Sequence, residues 1–201
     1  MGAAQTTARE QDLALARRAA GGDREAQREL FHATRLAVHH TLFRILGANR
    51  ELEDLIQDAF LEIFRSLQSY RGDSGLARWC QTIATRSAYL YISKRKPPTV
   101  ELSIVEDTIA NDDDTRKHAQ SREAVRRLYM AMDRIEVKQR IAFALAVIDG
   151  LPLAEVAQLT ESTVFTIKTR VWRARKQLFA RAAKDAVLAP YLDALGNGGE
   201  P

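Results

Sequence analysis

Apolar positions in this chain recur at helical spacing. The clearest run is Leu52, Leu55, Ile56, Ala59, Phe60, Ile63, Phe64 and Leu67. It follows the i, i+3, i+4, i+7 rule over four turns and predicts an amphipathic helix. Its opposite face carries Glu53, Asp54, Gln57, Asp58, Glu62 and Arg65. Helix punctuation divides the rest. Residues 1–10 are expected to fray. Asp12 to Ala20 reads as a helix closed by Gly21-Gly22, and Asp23 as the cap of a helix that runs to about Leu46 and stops at Gly47. Ser69 to Gly75 is a loop with two glycines. Leu76 to about Ser93 predicts a further helix, with Trp79, Ile83 and Leu90 near its apolar side. It ends in Lys94-Arg95-Lys96 and is stopped by Pro97-Pro98.

No period is sustained from residue 97 to about 117. Helices are expected again from about Arg116 to Arg134 and from Val137 to Ile148, the second closed by Asp149-Gly150. Pro152 suits the first turn of the next helix. A short helix near Tyr191-Leu192 and disorder over residues 196–199 complete the reading.

Composition narrows the class. Of 201 residues, 46% are hydrophobic but only 7% aromatic, with few Gly and Pro. This favours an all-α protein with cores of Leu, Ile, Val and Ala, built as two helical domains joined by a linker. The division expected is 10–96, a linker over 97–117, a second domain over 118–184 and a tail over 185–201. The net charge is only +4, so its distribution matters more. Residues 23–96 hold 12 basic against 9 acidic residues, 97–120 hold 2 against 6, and 121–201 hold 13 against 9. Two basic blocks around an acidic segment suggest two nucleic-acid-facing modules. Cys80 is the single cysteine, so no intramolecular disulfide is possible; it reads as an inert core thiol. The N-terminus lacks a signal-peptide core and no run approaches the roughly 20 apolar residues of a membrane span, so a soluble, cytoplasmic protein is expected. His32, His39, His40 and His118 form no convincing ligand set, and no phosphate-binding glycine loop or hydrolase motif is present. No cofactor, metal or catalytic residue is expected.

The segment 165–184 holds seven basic residues (Lys168, Arg170, Arg173, Arg175, Lys176, Arg181, Lys184) and no acidic one. It follows Leu153 to Leu159, which reads as the first helix of a helix-turn-helix. A short helix, a turn and a basic second helix are what a major-groove reader needs. Phe165, Thr166, Lys168, Thr169, Arg170, Trp172 and Arg173 are the candidates for DNA contact. Ile167, Val171, Ala174 and Leu178 form the packing face, and Trp172 either joins that core or faces outward.

Three motifs together resemble the bacterial RNA polymerase sigma factors of the extracytoplasmic-function type, over roughly residues 12–180. The stretch Glu53-Asp54-Leu55-Ile56-Gln57-Asp58-Ala59-Phe60-Leu61, with Phe64-Arg65-Ser66-Leu67, resembles region 2.2. Tyr70-Arg71-Gly72-Asp73-Ser74, followed by Trp79, Ile83-Ala84 and Arg86, resembles regions 2.3 and 2.4. Glu155-Val156-Ala157, with Thr166 to Arg170 and Arg173-Ala174-Arg175, resembles region 4.2. The resemblance implies an alternative sigma factor that binds core RNA polymerase and directs initiation at two promoter boxes. It implies contact with the β′ clamp helices through Asp54, Gln57, Asp58, Leu61 and Arg65, contact with the β subunit, and control by an anti-sigma factor. It also implies promoter contact by Tyr70, Arg71 and Asp73 from the loop and by Arg78, Arg86, Lys94, Arg95 and Lys96 from the following helix. The acidic segment, with Glu101, Glu106, Asp107 and Asp112 to Asp114, would thread near the polymerase cleft.

The chain departs from the family pattern in three places. Ser87 and Tyr91 stand where Asn and Asp are frequent. Thr160-Glu161-Ser162-Thr163 replaces a Leu-Gly-Ile-Ser turn, so either Glu161 is strained or the turn takes another path, Ser162 is expected to anchor weakly and Thr163 to cap the second helix. Two other readings use the same residues. A sigma-like decoy would bind an anti-sigma factor without initiating. A simple helix-turn-helix regulator would leave the first half without a role.

Overall fold

The computed structural model describes residues 2–95 and 112–192, with side chains from residues 7 and 119 onward in the two stretches. Lys96, the Pro97-Pro98 stop, Glu101, Glu106, Asp107 and the 196–199 segment lie outside the described residues. Among the described residues the regular structure is helical throughout. The α-helices are α1 (Gly2–Ala20), α2 (Arg24–Leu46), α3 (Leu52–Ser66), α4 (Leu76–Lys94), α5 (Asp112–Met132), α6 (Val137–Phe143), α7 (Leu153–Leu159) and α8 (Val164–Ala182). A 3-10 turn at Leu67–Ser69 ends α3, and another at Ala189–Tyr191 marks the short element expected near Tyr191. A π-helical turn, Ala144–Ile148, continues α6. There Asp149 N–H reaches back five residues to the Ala144 carbonyl, at 2.9 Å.

Local chemistry sets these boundaries. Asp23 Oδ1 accepts from the backbone N–H groups of Glu25 and Ala26 at 2.9 and 3.1 Å, satisfying two orphan donors at the start of α2. Such a cap contributes about 1 kcal/mol. Asp12, on α1, accepts from Leu76 N–H at 2.8 Å, so α1 supplies the cap that Gly75 lacks at the start of α4. The start of α1 differs from expectation: it begins at Gly2, not Asp12. The alanines and the Arg9-Glu10-Gln11 run are good helix formers with no breaker among them, and apolar period alone misses such a segment. Likewise α5 begins at Asp112, where three acidic residues suit the positive end of a helix.

The stripe on α3 behaves as its period requires. Leu52, Leu55, Ala59, Phe60 and Ile63 are buried against α1, α2 and α4, with Leu67 just beyond. Each large side chain so buried contributes roughly 1.5–3 kcal/mol. Cys80 is fully buried, and that burial pushes its thiol up to about 12, so it is an inert core residue. Leu90 departs from its expected place and is exposed on α4.

The core does not stop at the second half of the chain. One continuous apolar cluster joins Leu42, Ile45 and Leu46 of α2 to Tyr129 of α5, Ile141 and Phe143 of α6, and Val156 of α7. The end of α2 shows why the two halves meet. The last four carbonyls of a helix have no partner within it. Gly47 N–H takes the Phe43 carbonyl at 2.8 Å. The other three are taken from the far half: Tyr129 hydroxyl donates to Arg44 O at 2.9 Å, and Arg140 donates to Ile45 O at 3.0 Å and Leu46 O at 3.4 Å. Arg140 is only 4% exposed, and Asp133 balances its charge. Arg44 also pairs with Asp149 at 3.3 Å.

Candidate polymerase and nucleic-acid interfaces

At 100° per residue, Asp54, Gln57, Asp58, Leu61 and Arg65 fall within about 100° of arc on α3. All five are exposed, opposite the buried stripe. Among the described residues Arg65 has one ion pair, with Glu62 at 4.0 Å, which is too exposed and too long to fix either side chain. The face is thus a narrow polar band with one large apolar residue, Leu61, at its centre. A helix of another protein can lie along such a band.

The loop after α3 is organised by Tyr70, which is a correction to its expected role. Its ring is 8% exposed, packs on Trp79 with centroids 5.4 Å apart, and its hydroxyl donates to Ser74 O at 2.7 Å. Burial raises the phenol to about 12, so it remains a neutral donor. Tyr70 therefore holds the loop in shape from beneath and presents no ring to a base. Arg71 and Asp73 are the loop residues that face outward. Gly72 has φ +78°, and a Cβ there would press on Leu13 of α1 at 3.0 Å, so both backbone and space favour glycine.

Along α4, Arg78 is half-buried, and Arg86, Lys94 and Arg95 are exposed. Arg95 lies over the Tyr91 ring at 5.0 Å. The two unusual residues on this helix have structural partners. Ser87 donates to Ile83 O at 3.1 Å, and Tyr91 hydroxyl accepts from Asn49 Nδ2 at 2.9 Å, tying the α2–α3 connection to the end of α4.

The helix-turn-helix is α7, a four-residue turn and α8. The turn closes as a Schellman motif. Glu161 N–H bonds Gln158 O at 3.3 Å and Ser162 N–H bonds Ala157 O at 2.9 Å, which places Glu161 at the left-handed position that glycine usually fills. Its φ of +48° is the one positive value among the described non-glycine residues. The strain anticipated from sequence is present, and the turn keeps its path. Thr163 caps α8, accepting from Thr166 N–H at 3.2 Å. Because a side chain in this region costs roughly 1–2 kcal/mol, Glu161→Gly is expected to leave thermal stability unchanged or to raise it by up to about 1 kcal/mol. A clear drop in the unfolding midpoint would show that the ion pair of Glu161 outweighs its backbone strain.

On α8, Ile167, Ala174 and Leu178 are buried and Val171 is partly so, as the packing face requires. Phe165, Thr166, Lys168, Thr169, Trp172 and Arg173 span about 160° on the other side, with Arg170 at its edge. Trp172 is 61% exposed and Phe165 79%, so Trp172 lies outside the core. Lys176 sits over the Trp172 ring at 5.5 Å. Among the described residues, Lys168 and Arg173 have no carboxylate partner. The face combines uncommitted cations with two exposed aromatic rings.

One feature was not legible from sequence. Two arginines of α4 have acidic partners in the second half of the chain. Arg78 pairs with Glu155 of α7, and Arg86 pairs with Glu161 in the turn. Lys138 of α6 lies over the Tyr89 ring at 5.9 Å beside them.

Comparison with known proteins agrees with this geometry. Residues 30–97 match the family model for Sigma-70 region 2, and residues 125–178 match that for Sigma-70, region 4. The ECF RNA polymerase sigma-E factor of Haemophilus influenzae is 28% identical over 177 residues, covering 83% of this chain and 93% of that protein. The protein of the same name from Escherichia coli strain K12 is 27% identical over 179 residues, covering 83% and 92%. Among solved structures, CnrH in complex with the cytosolic domain of CnrY shares the fold, with a TM-score of 0.60 and 20% identity over 87% of this chain and 99% of that one. The sigma factor RpoE in complex with the anti-sigma factor NepR from Bartonella quintana matches with a TM-score of 0.50 and 19% identity over 79% and 97%. No helix among the described residues is long and apolar enough to cross a membrane. The two matched regions, their order and the near-complete cover of these relatives place the chain in the sigma-70 family, as a member of its extracytoplasmic-function type.

Proposed function

We propose that this protein is a dissociable initiation factor that acts in the cytoplasm, bringing core RNA polymerase to promoters with two separated boxes. The observation that carries this reading is the pairing, on one short chain, of a polar band on α3 with a basic, aromatic-bearing face on α8. The α3 band, Asp54, Gln57, Asp58, Leu61 and Arg65, meets the β′ clamp helices. Arg71, Asp73, Arg78, Arg86, Lys94 and Arg95 meet the downstream box, with Tyr70 holding their loop. The exposed side of α8 meets the upstream box in the major groove. Residues 10–96 and 118–184 form the two modules, and the 97–117 segment joins them. The chain carries no catalytic group of its own; the polymerase does the chemistry. The solved complex of a sigma factor with the anti-sigma factor NepR supports control by a partner of that kind.

The test is transcription by core polymerase on a fragmented genomic library, with and without this protein, mapping the RNA starts. New starts that share two spaced upstream boxes are expected. Polymerase binding without new starts would favour the decoy reading, which Glu161 in the turn keeps in view. At the α3 band, Asp54→Ala with Gln57→Ala is expected to weaken polymerase binding about tenfold or more, at roughly 1 kcal/mol per lost hydrogen bond. Both residues are exposed, so circular dichroism and the unfolding midpoint should stay unchanged. Undiminished affinity would move the polymerase contact to another face.

A further inference from the structure

The first turn of α8 carries side chains unlike the rest of its reading face. Thr163 caps the helix, Val164, Phe165, Thr166 and Ile167 follow, and Lys168 is the first charged residue. Ile167 is fully buried, whereas Val164 is 47% and Phe165 79% exposed. The hydroxyls around them already have partners. Thr163 accepts from Thr166 N–H at 3.2 Å, the Thr163 and Thr166 hydroxyls meet at 2.8 Å, and Thr169 donates to Phe165 O at 3.1 Å. Residues 163–167 include no arginine, lysine, asparagine or glutamine. The tip of the helix therefore offers a ring and methyl groups where a reader of polar base edges would offer forked donors.

A lone exposed apolar residue is ordinary on a protein surface. Its position gives this one a meaning, because the N-terminal residues of a recognition helix are those that reach base edges. In the major groove those edges carry hydrogen-bonding atoms and one apolar group, the C5-methyl of thymine. A ring set against the polar edge of G, C or A strips its water and returns no hydrogen bond, which costs free energy. Against the thymine methyl the same ring buries apolar surface on both partners. Attraction to one base and rejection of the others thus come from one side chain.

We infer that Phe165, backed by Val164, is a specificity-determining residue that reads the 5-methyl group of a thymine in the upstream box. The inference rests on the proposed role of α8 as the upstream reader. Lys168 and Arg173 hold phosphates and position the helix; Phe165 adds a sequence preference that carries no charge.

The test uses the full chain and randomised duplex DNA. Bound duplexes are selected and sequenced, and each thymine of the enriched site is then replaced in turn by deoxyuridine, which lacks only the methyl group. One position is expected at which uracil weakens binding by about fourfold, as the loss of one buried methyl should. Phe165→Ala should bind the thymine and uracil forms of that site equally. Phe165→Leu, which keeps an apolar tip, should retain most of the difference. Phe165 is exposed, so circular dichroism of both variants should match the wild type. The log–log salt slope should also be unchanged by Phe165→Ala, since no phosphate contact is lost.

Absence of an enriched site, a site with no uracil-sensitive thymine, or the same methyl effect in wild type and Phe165→Ala overturns the inference. So does a Phe165→Ala variant that binds DNA as the wild type does but holds core polymerase less tightly, which would assign the ring to a protein contact. Methyl-dependent selection by a chain that starts no transcription with core polymerase would sink the proposed function alone. Initiation at two-box promoters whose upstream box is indifferent to uracil would sink the inference alone.

Discussion

Gly47→Ala is expected to destabilise the protein more than alanine at any other described glycine. Two independent costs meet at this position. The backbone has φ +75° and ψ −166°, a region that glycine alone visits readily, and an alanine there costs of order 1–3 kcal/mol. The added Cβ would also lie 2.8 Å from two ring atoms of Tyr129 and 3.0 Å from a third. The ring has little room to retreat, because it is buried and its hydroxyl is bound to Arg44 O. Urea unfolding measures the sum. Repeating the substitution in a Tyr129→Ala background separates the parts: the ring clash disappears and the backbone cost remains. The two changes should couple by about 1 kcal/mol or more, as residues in contact do. Strict additivity would mean that Gly47 and Tyr129 do not touch in solution.

Lys168→Ala with Arg173→Ala carries the largest expected functional loss. Both cations are exposed on the outer side of α8, away from Ile167, Ala174 and Leu178. Removing them leaves the fold intact. Each charge-assisted contact to a phosphate contributes roughly 1.5–3 kcal/mol, so the pair should weaken upstream-box binding on the order of 100-fold or more. The salt dependence gives a sharper check. Each phosphate contact contributes about 0.9 to the log–log slope, so the slope should flatten by about 1.8. Weaker binding with an unchanged slope would mean that these residues read bases or shape without touching phosphates. Full promoter use by the double variant would remove α8 from the upstream contact.

Much of this architecture is legible in the sequence because local rules and tertiary packing agree. Asp23 and Gly47 bound α2 where a cap and a left-handed stop are needed, and the α3 stripe is buried except at Ile56 and Phe64, which are half-buried against the same core. What escapes is whatever depends on residues distant in sequence. Arg78 and Glu155 are 77 positions apart, and Arg86 and Glu161 are 75 apart; charge counting registers all four but cannot join them. Tyr70 illustrates the same limit at short range. An aromatic residue between a helix and a glycine-rich loop can face a ligand or plug the loop from below, and only Trp79 and the Ser74 carbonyl decide which. Glu161 takes the positive φ and Thr163 the cap that the sequence implies, because a Schellman turn states its own requirements. The reason for a glutamate there lies on another helix.

The π-helical turn at Ala144–Ile148 has a consequence for the chain's phase. Its i→i+5 closure holds one residue more than an α-helix would at the same place. Deleting one alanine from this stretch would let α6 run on as a regular helix. The segments on either side would keep nearly their present phase, because the wider turn already takes up the extra residue. The same deletion in the regular part of α6 would turn everything after it by about 100° about the helix axis and draw it back about 1.5 Å, swinging Glu155 and Glu161 away from α4. The second module thus carries one residue of slack inside a helix, at a place where its length can change without moving the reading helix.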